Sequence, residues 1–148
     1  MRLINELKGK GIRLGLVSST SEVNLINLFE KGLKIDHKQI FDIVAHGDST
    51  PNKKPSPEIY EWALEKLRLP SQACIAIEDS PRGLDASLKA NISTIVTPSI
   101  LTLGEEFKGA KLVVSDLGEP DRAFELIAGK DFGHKFVDTD LLSKVIDI

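Results

Sequence analysis

Apolar residues fall in short blocks along the chain, and the blocks switch between strand-like and helix-like spacing. Leu3, Ile4 and Leu7 share one face of a helix predicted over residues 2–8, which Gly9 or Gly11 can end. Residues 12–17 read as a buried strand that runs straight into four hydroxyls, Ser18, Ser19, Thr20 and Ser21. A helix follows, with Val23, Ile26, Leu28, Phe29 and Leu33 as its apolar residues. Residues 41–45 form a third strand candidate, and residues 46–55 a polar loop. Ser56-Pro57-Glu58 opens a helix on which Ile59, Trp62, Ala63 and Leu67 share a face. Residues 73–77 carry no polar break and read as a fully buried strand of a parallel sheet, followed by a helix over 82–90. Strands at 92–96 and 112–114 and a helix near 122–128 complete the pattern. Strands alternating with helices predict an α/β fold with a mostly parallel sheet.

Composition narrows the functional classes. The 148 residues suffice for one domain with a real core, and a net charge of −3 offers no electrostatic case for nucleic acid or an anionic membrane. The one cysteine, Cys74, lies inside an apolar run, so there is no disulfide framework. No stretch is apolar enough to span a bilayer, and no signal-peptide pattern opens the chain. The expected setting is the cytoplasm, or an organelle stroma or matrix, and not the secreted space.

The candidate chemistry sits where strands end. Glu78 and Asp79 follow the apolar run 73–77 directly, with Ser80 placed as an N-cap and Pro81 at the first helical position. In an open α/β sheet, ligands bind outside the carboxyl ends of the strands. Two carboxylates there suit magnesium, although Asp79 and Ser80 could equally do no more than cap the helix. The hydroxyls at Ser18 to Ser21 and the loop carrying Lys54 also follow strands, so all three should open on one crevice. A hydroxyl, a lysine and metal-binding acids together hold a phosphate. Ser19 or Ser21 could cap the following helix as well as Ser18, and Lys53 reads as a solvated neighbour of Lys54. His37, His46 and His134 lack metal-ligand spacing and read as surface residues, Asp48 as a turn residue and Trp62 as core.

These pieces resemble motifs II, III and IV of the haloacid dehalogenase superfamily, in the CbbY-like and β-phosphoglucomutase-like branch. Gly15-Leu16-Val17-Ser18 is similar to motif II, Lys54-Pro55-Ser56-Pro57-Glu58 to motif III, and Ile77-Glu78-Asp79-Ser80-Pro81-Arg82-Gly83 to motif IV. The segments at 95–99 and 112–118 are similar to CbbY-like sugar-phosphate phosphatases. The resemblance implies a Rossmann-like three-layer core in residues 1–148. It implies Ser18, with Ser19, on the phosphoryl oxygens, Lys54 stabilising negative charge, and Asp79 and Glu78 on Mg2+. The implied activity is magnesium-dependent phosphoryl transfer from a small sugar phosphate to an enzyme aspartate and then to water. A phosphosugar mutase and a non-catalytic phosphate- or partner-binding module are the alternatives.

The family's motif I, an Asp-x-Asp at the end of the central first strand, has no counterpart ahead of Ser18, and neither does the cap that lies between motifs I and II. Asp138-Thr139-Asp140 is an Asp-x-Asp, but the residues before it make a poor strand, and Leu141, Leu142 and Val145 suggest a helix capped by Asp138 or Thr139. The expectation is therefore a truncated core, inactive by itself for lack of the nucleophile. The missing strand would lie between the motif II and motif IV strands. Their inner edges should then pair directly, or be filled by another chain's strand with self-association as the result. An open slot in a monomer would speak against this strand order.

Overall fold

The computed structural model describes residues 1–146. Its β-strands are β1 (Gly15–Val17), β2 (Ile43–Ala45), β3 (Ile75–Glu78), β4 (Ser93–Val96), β5 (Leu112–Val114) and β6 (Leu126–Gly129). Its α-helices are α1 (Arg2–Gly9), α2 (Glu22–Ile26), α3 (Glu58–Leu67), α4 (Pro81–Lys89) and α5 (Thr139–Ile146). β1 and β2 pair in parallel, with Leu16 opposite Val44. A second sheet runs β3-β4-β5-β6; its first two pairings are parallel and the last is antiparallel. The chain is thus α/β with mostly parallel strands, as its alternating pattern predicts.

Alternation along the strands divides the core between two faces. Ile95 of β4 packs with Leu3 and Leu7 of α1 and with Leu141 and Val145 of α5. Its neighbour Val96 points the other way, to Leu84 of α4. Beside it, Ser87 of α4 and Thr94 of β4 are fully buried, and their hydroxyls bond each other at 2.7 Å. Asp138 accepts from the Leu141 amide at 2.8 Å and so caps α5, one of the two caps expected. No helix among the described residues is long and apolar enough to cross a membrane.

Several expectations are corrected. β1 begins at Gly15, not residue 12, and β3 at Ile75, after a 3-10 turn over Ser71–Ala73. Neither is fully buried: Ile77 is 40% exposed, because β3 has no partner strand on its cleft side. The helix after Ser21 changes from α to π winding over Asn27–Leu33, which breaks the expected apolar face. Leu25 and Phe29 turn inward, Phe29 edge-on to Phe41, while Val23, Leu28 and Leu33 are exposed. Residues 122–128 are not a helix. Gly118, at φ 64°, turns the chain back, and Phe124 and Leu126 alternate inward while Glu125 and Ile127 face out, the period of a strand. Trp62, by contrast, packs against the core as expected, though it is only partly buried, with the Lys66 ammonium 5.6 Å from its ring. His37, His46 and His134 are likewise half-buried and not surface residues; His134 lies against Asp138 and Asp140.

β1 and β3 do not pair with each other, so one of the two expected outcomes for their inner edges is wrong. They form opposite walls of one cleft of about 540 Å³. The cleft stays open in a single chain without any change of strand order, because α3 packs across it. Ile59, Tyr60 and Ala63 of α3 join Ala45 of β2 to Ala76 of β3 and to Ala86 and Ala90 of α4 in one apolar cluster. The helix layer holds the two sheets where backbone pairing does not.

Two outcomes follow. The free edges of β1 and β3 should draw chains together, so light scattering across a concentration series should show mass above the monomer at high concentration; a monomer throughout would show the edges to be inert. In the β5–β6 turn, the Arg122 guanidinium and the Gly118 amide hold the Asp116 carboxyl at about 2, below its ordinary 3.8. Because the folded value is depressed, this stabilisation is present above about pH 4 and lost as pH falls toward 2. The protection of β6 amides against hydrogen exchange, taken relative to their intrinsic rates, should fall over that window in the wild type, and Asp116→Asn should remove that fall.

Candidate functional site

Three chain segments meet at the carboxyl ends of β1 and β3. Ser18, Ser19 and Thr20 from the first wall, Lys54 from the loop before α3, and Glu78, Asp79 and Ser80 from the second all line the cleft. The expected residues therefore converge, with Thr97 added from the end of β4.

Each is placed by local backbone chemistry. Ser18 extends the β1–β2 ladder through its amide to the Ala45 carbonyl, 2.9 Å, and its Oγ accepts from the Thr20 amide at 3.2 Å. Gly47 lies so close beneath this turn that a Cβ on it would stand 2.3 Å from the Ser19 carbonyl. Asp48 lies in a turn that the Ser49 amide closes on the His46 carbonyl at 2.8 Å, as expected, and its carboxylate also accepts from the Glu22 amide at 3.3 Å at the start of α2. The loop to Lys54 is tied down by Glu58, which accepts from the Asn52 amide at 3.1 Å and from its side chain; these bonds hold the Glu58 carboxyl below its ordinary value. Arg82 donates to the Lys54 carbonyl at 2.6 Å, and the Lys54–Pro55 peptide is cis. Across the cleft, Ser80 caps α4 by accepting from the Gly83 amide at 3.2 Å, with Pro81 in the first turn, as predicted.

The two adjacent carboxylates have different surroundings. Glu78 is buried, and one of its oxygens is shared by the Lys54 ammonium and the Tyr60 hydroxyl. Its other oxygen lies against Gly83, where a Cβ would stand 1.8 Å away. Asp79, one residue on, is exposed, and its carboxylate takes part in no hydrogen bond or ion pair among the described residues. Lys54 also donates to the Val17 carbonyl at 3.2 Å and lies 4.9 Å from the Tyr60 ring centroid. An ammonium has three donors. Two are engaged here, which leaves one for an anion in the cleft. Burial, and then the Glu78 charge, push the Tyr60 phenol far above its ordinary value, so it stays a neutral donor.

Arg82, Gly83 and Thr97 entered the sequence reading only inside the quoted motif segments, with no role of their own, and Tyr60 did not enter it at all. Its signal was general: a buried tyrosine hydroxyl needs a partner, and Tyr60 sits among the apolar residues of α3. A magnesium ion usually keeps several waters and takes one or two carboxylates. Asp79, with the surrounding cleft open to water, fits such a hydrated ion. Glu78 is occupied by its lysine and tyrosine, and no cluster of three or more acidic, histidine or cysteine side chains is present among the described residues.

Lys54→Met would leave Glu78 charged and buried without its cation. The expected cost is about 3–5 kcal/mol, read by urea denaturation. The double variant Lys54→Met with Glu78→Met should recover most of that loss; no recovery would show that the pair is not a coupled unit.

The family model described as haloacid dehalogenase-like hydrolase matches residues 1–97. Protein CbbY of Cereibacter sphaeroides is 40% identical over 117 residues, covering 79% of this chain and 51% of the relative. The crystal structure of a mutant CbbY from Rhodobacter sphaeroides, in complex with xylulose-(1,5)-bisphosphate, superimposes with a TM-score of 0.75 at 40% identity and covers 78% of this chain and 51% of that one. β-Phosphoglucomutase from Clostridium difficile superimposes with a TM-score of 0.69 at 26% identity, covering 99% and 54%. The chain spans about half the length of the relatives it matches. With its strand-end motifs gathered around one cleft and two thirds of its length matched, the chain belongs to the haloacid dehalogenase-like hydrolase family.

Proposed function

We propose that this chain is the phosphate- and magnesium-binding core of a phosphatase acting on a small sugar phosphate, and that it does not turn over by itself. The observation that carries the reading is the cleft in which one free donor of Lys54, the Ser18 hydroxyl and the unpartnered Asp79 carboxylate face the same space. The bisphosphate in the CbbY complex supports the substrate class.

Each residue has a distinct task in this reading. Lys54 meets a phosphate oxygen with its remaining N–H, held in place by Val17, Glu78 and Tyr60. Ser18 already accepts from the Thr20 amide, so its proton is free to donate to a second oxygen. Ser19 stands at the rim beside it. Asp79 holds magnesium, which when bound supplies positive charge against the phosphate oxygens. Glu78, expected from its motif on the metal too, serves here as the counter-ion that keeps Lys54 aimed. Phosphoryl transfer to enzyme needs a nucleophile, and among the described residues no aspartate other than Asp79 lines this cleft.

Isothermal titration of the chain with inorganic phosphate should show weak, magnesium-enhanced binding that Lys54→Ala abolishes. Assays against sugar phosphates should show no hydrolysis. Turnover that depends on Asp138 would overturn the reading and place the nucleophile in the Asp138-Thr139-Asp140 segment; phosphate binding indifferent to Lys54 would remove the site from the cleft.

A further inference from the structure

We infer that Thr102 is a positioning residue that sets the Asp79 carboxylate in the cleft. The inference rests on the reading of Asp79 as the magnesium-facing residue. Thr102 lies in the loop between β4 and β5, far from Asp79 in sequence, yet its hydroxyl donates to the Asp79 backbone carbonyl at 2.6 Å. The direction of that bond is set locally. The same oxygen accepts from the Ser99 amide at 2.9 Å, and of the acceptors its one proton can reach, the Asp79 carbonyl at 2.6 Å is nearer than the Ser99 hydroxyl at 3.2 Å and the Ser99 carbonyl at 3.4 Å. The Thr102 amide closes a turn onto the Ser99 carbonyl at 3.0 Å, and the Glu105 amide closes another onto the Thr102 carbonyl at 3.1 Å. Two turns therefore hold the hydroxyl at one place.

The residues around Asp79 are pinned from both sides. The Thr97 amide bonds the Glu78 carbonyl at 2.8 Å, and the Ser80 hydroxyl is engaged with the Gly83 amide. Thr102 supplies the hold on Asp79 itself. The backbone is thus fixed while the carboxylate is left free, which is the division of labour a ligand residue needs if it is to meet a cation without first being ordered. The loop has little else to seat it at this point. Ile100 and Leu101, beside Thr102, are 90% and 89% exposed, so the hydroxyl and not apolar packing ties this part of the loop to the site. Valine keeps the shape of threonine and removes the donor.

The test is a magnesium chloride titration of the 148-residue chain, followed through the Asp79 and Ser80 amide resonances, with urea denaturation of every variant. Thr102→Val, which removes both the donor to Asp79 and the acceptor of the Ser99 amide, should bind magnesium about fivefold more weakly than wild type, the size expected for the lost bond to Asp79, with its unfolding midpoint little changed. Thr102→Ser, which keeps the hydroxyl, should restore wild-type affinity, and Leu101→Ser should match wild type. Equal affinity in wild type and Thr102→Val would overturn the inference. So would a weakening in Thr102→Val that Thr102→Ser shares, or one accompanied by loss of global stability. A wild-type response that survives Asp79→Asn, or no response in wild type, would instead overturn the reading of Asp79 on which it rests.

Discussion

The ammonium of Lys54 is the point on which the site depends. It reaches from its loop to the Val17 carbonyl at the end of β1 and to the Glu78 carboxylate at the end of β3. Those two strands belong to different sheets. A buried lysine is costly unless paired, and a buried glutamate equally so, and each here removes the other's penalty. The pair is no surplus source of stability. What it contributes is placement: two sheet edges with no hydrogen bonds between them are held at one spacing at the end where the hydroxyls and Asp79 emerge.

The surroundings of the pair explain residues that have no chemistry of their own. Gly83 is needed because the Glu78 carboxylate occupies the volume a side chain would take. Tyr60 donates to the same carboxylate oxygen that Lys54 holds, while its neighbours Ile59 and Ala63 fasten α3 to both sheets. One helix therefore serves the charge network and the apolar core at once. Arg82 and Glu58 work at the level of the loop, holding the Lys54 backbone so that its long side chain has a fixed origin. A flexible four-carbon stem would otherwise lose much of its ordering entropy on every encounter with an anion.

Much of this was legible one residue at a time. The strand–helix alternation, the Ser80 cap with Pro81, the Asp138 cap of α5 and the convergence of Ser18, Lys54 and Asp79 all follow from local pattern and from the rule that strands of a parallel sheet open on one side. The pattern failed where burial depends on a neighbour that local sequence does not name. Residues 12–17 and 73–77 look like interior strands by composition, yet one side of each faces the cleft. Residues 122–128 look helical until Gly118 and the Asp116–Arg122 pair turn them back along β5.

The sequence by itself determined the fold class, the order of the elements and the set of polar groups at the strand ends, because these rest on periodicity, capping and turn chemistry within a few residues. Only the tertiary structure decided how those groups divide their work. Glu78 and Asp79 are adjacent, and nothing local distinguishes two carboxylates at a strand's end. Successive side chains of a strand point to opposite faces, and what lies on each side here comes from distant segments: Lys54 and Tyr60 beside Glu78, the open cleft beside Asp79, and Thr102 at its carbonyl. Long-range packing sets the electrostatic surroundings of each carboxylate, and those surroundings make one a buried counter-ion and leave the other free.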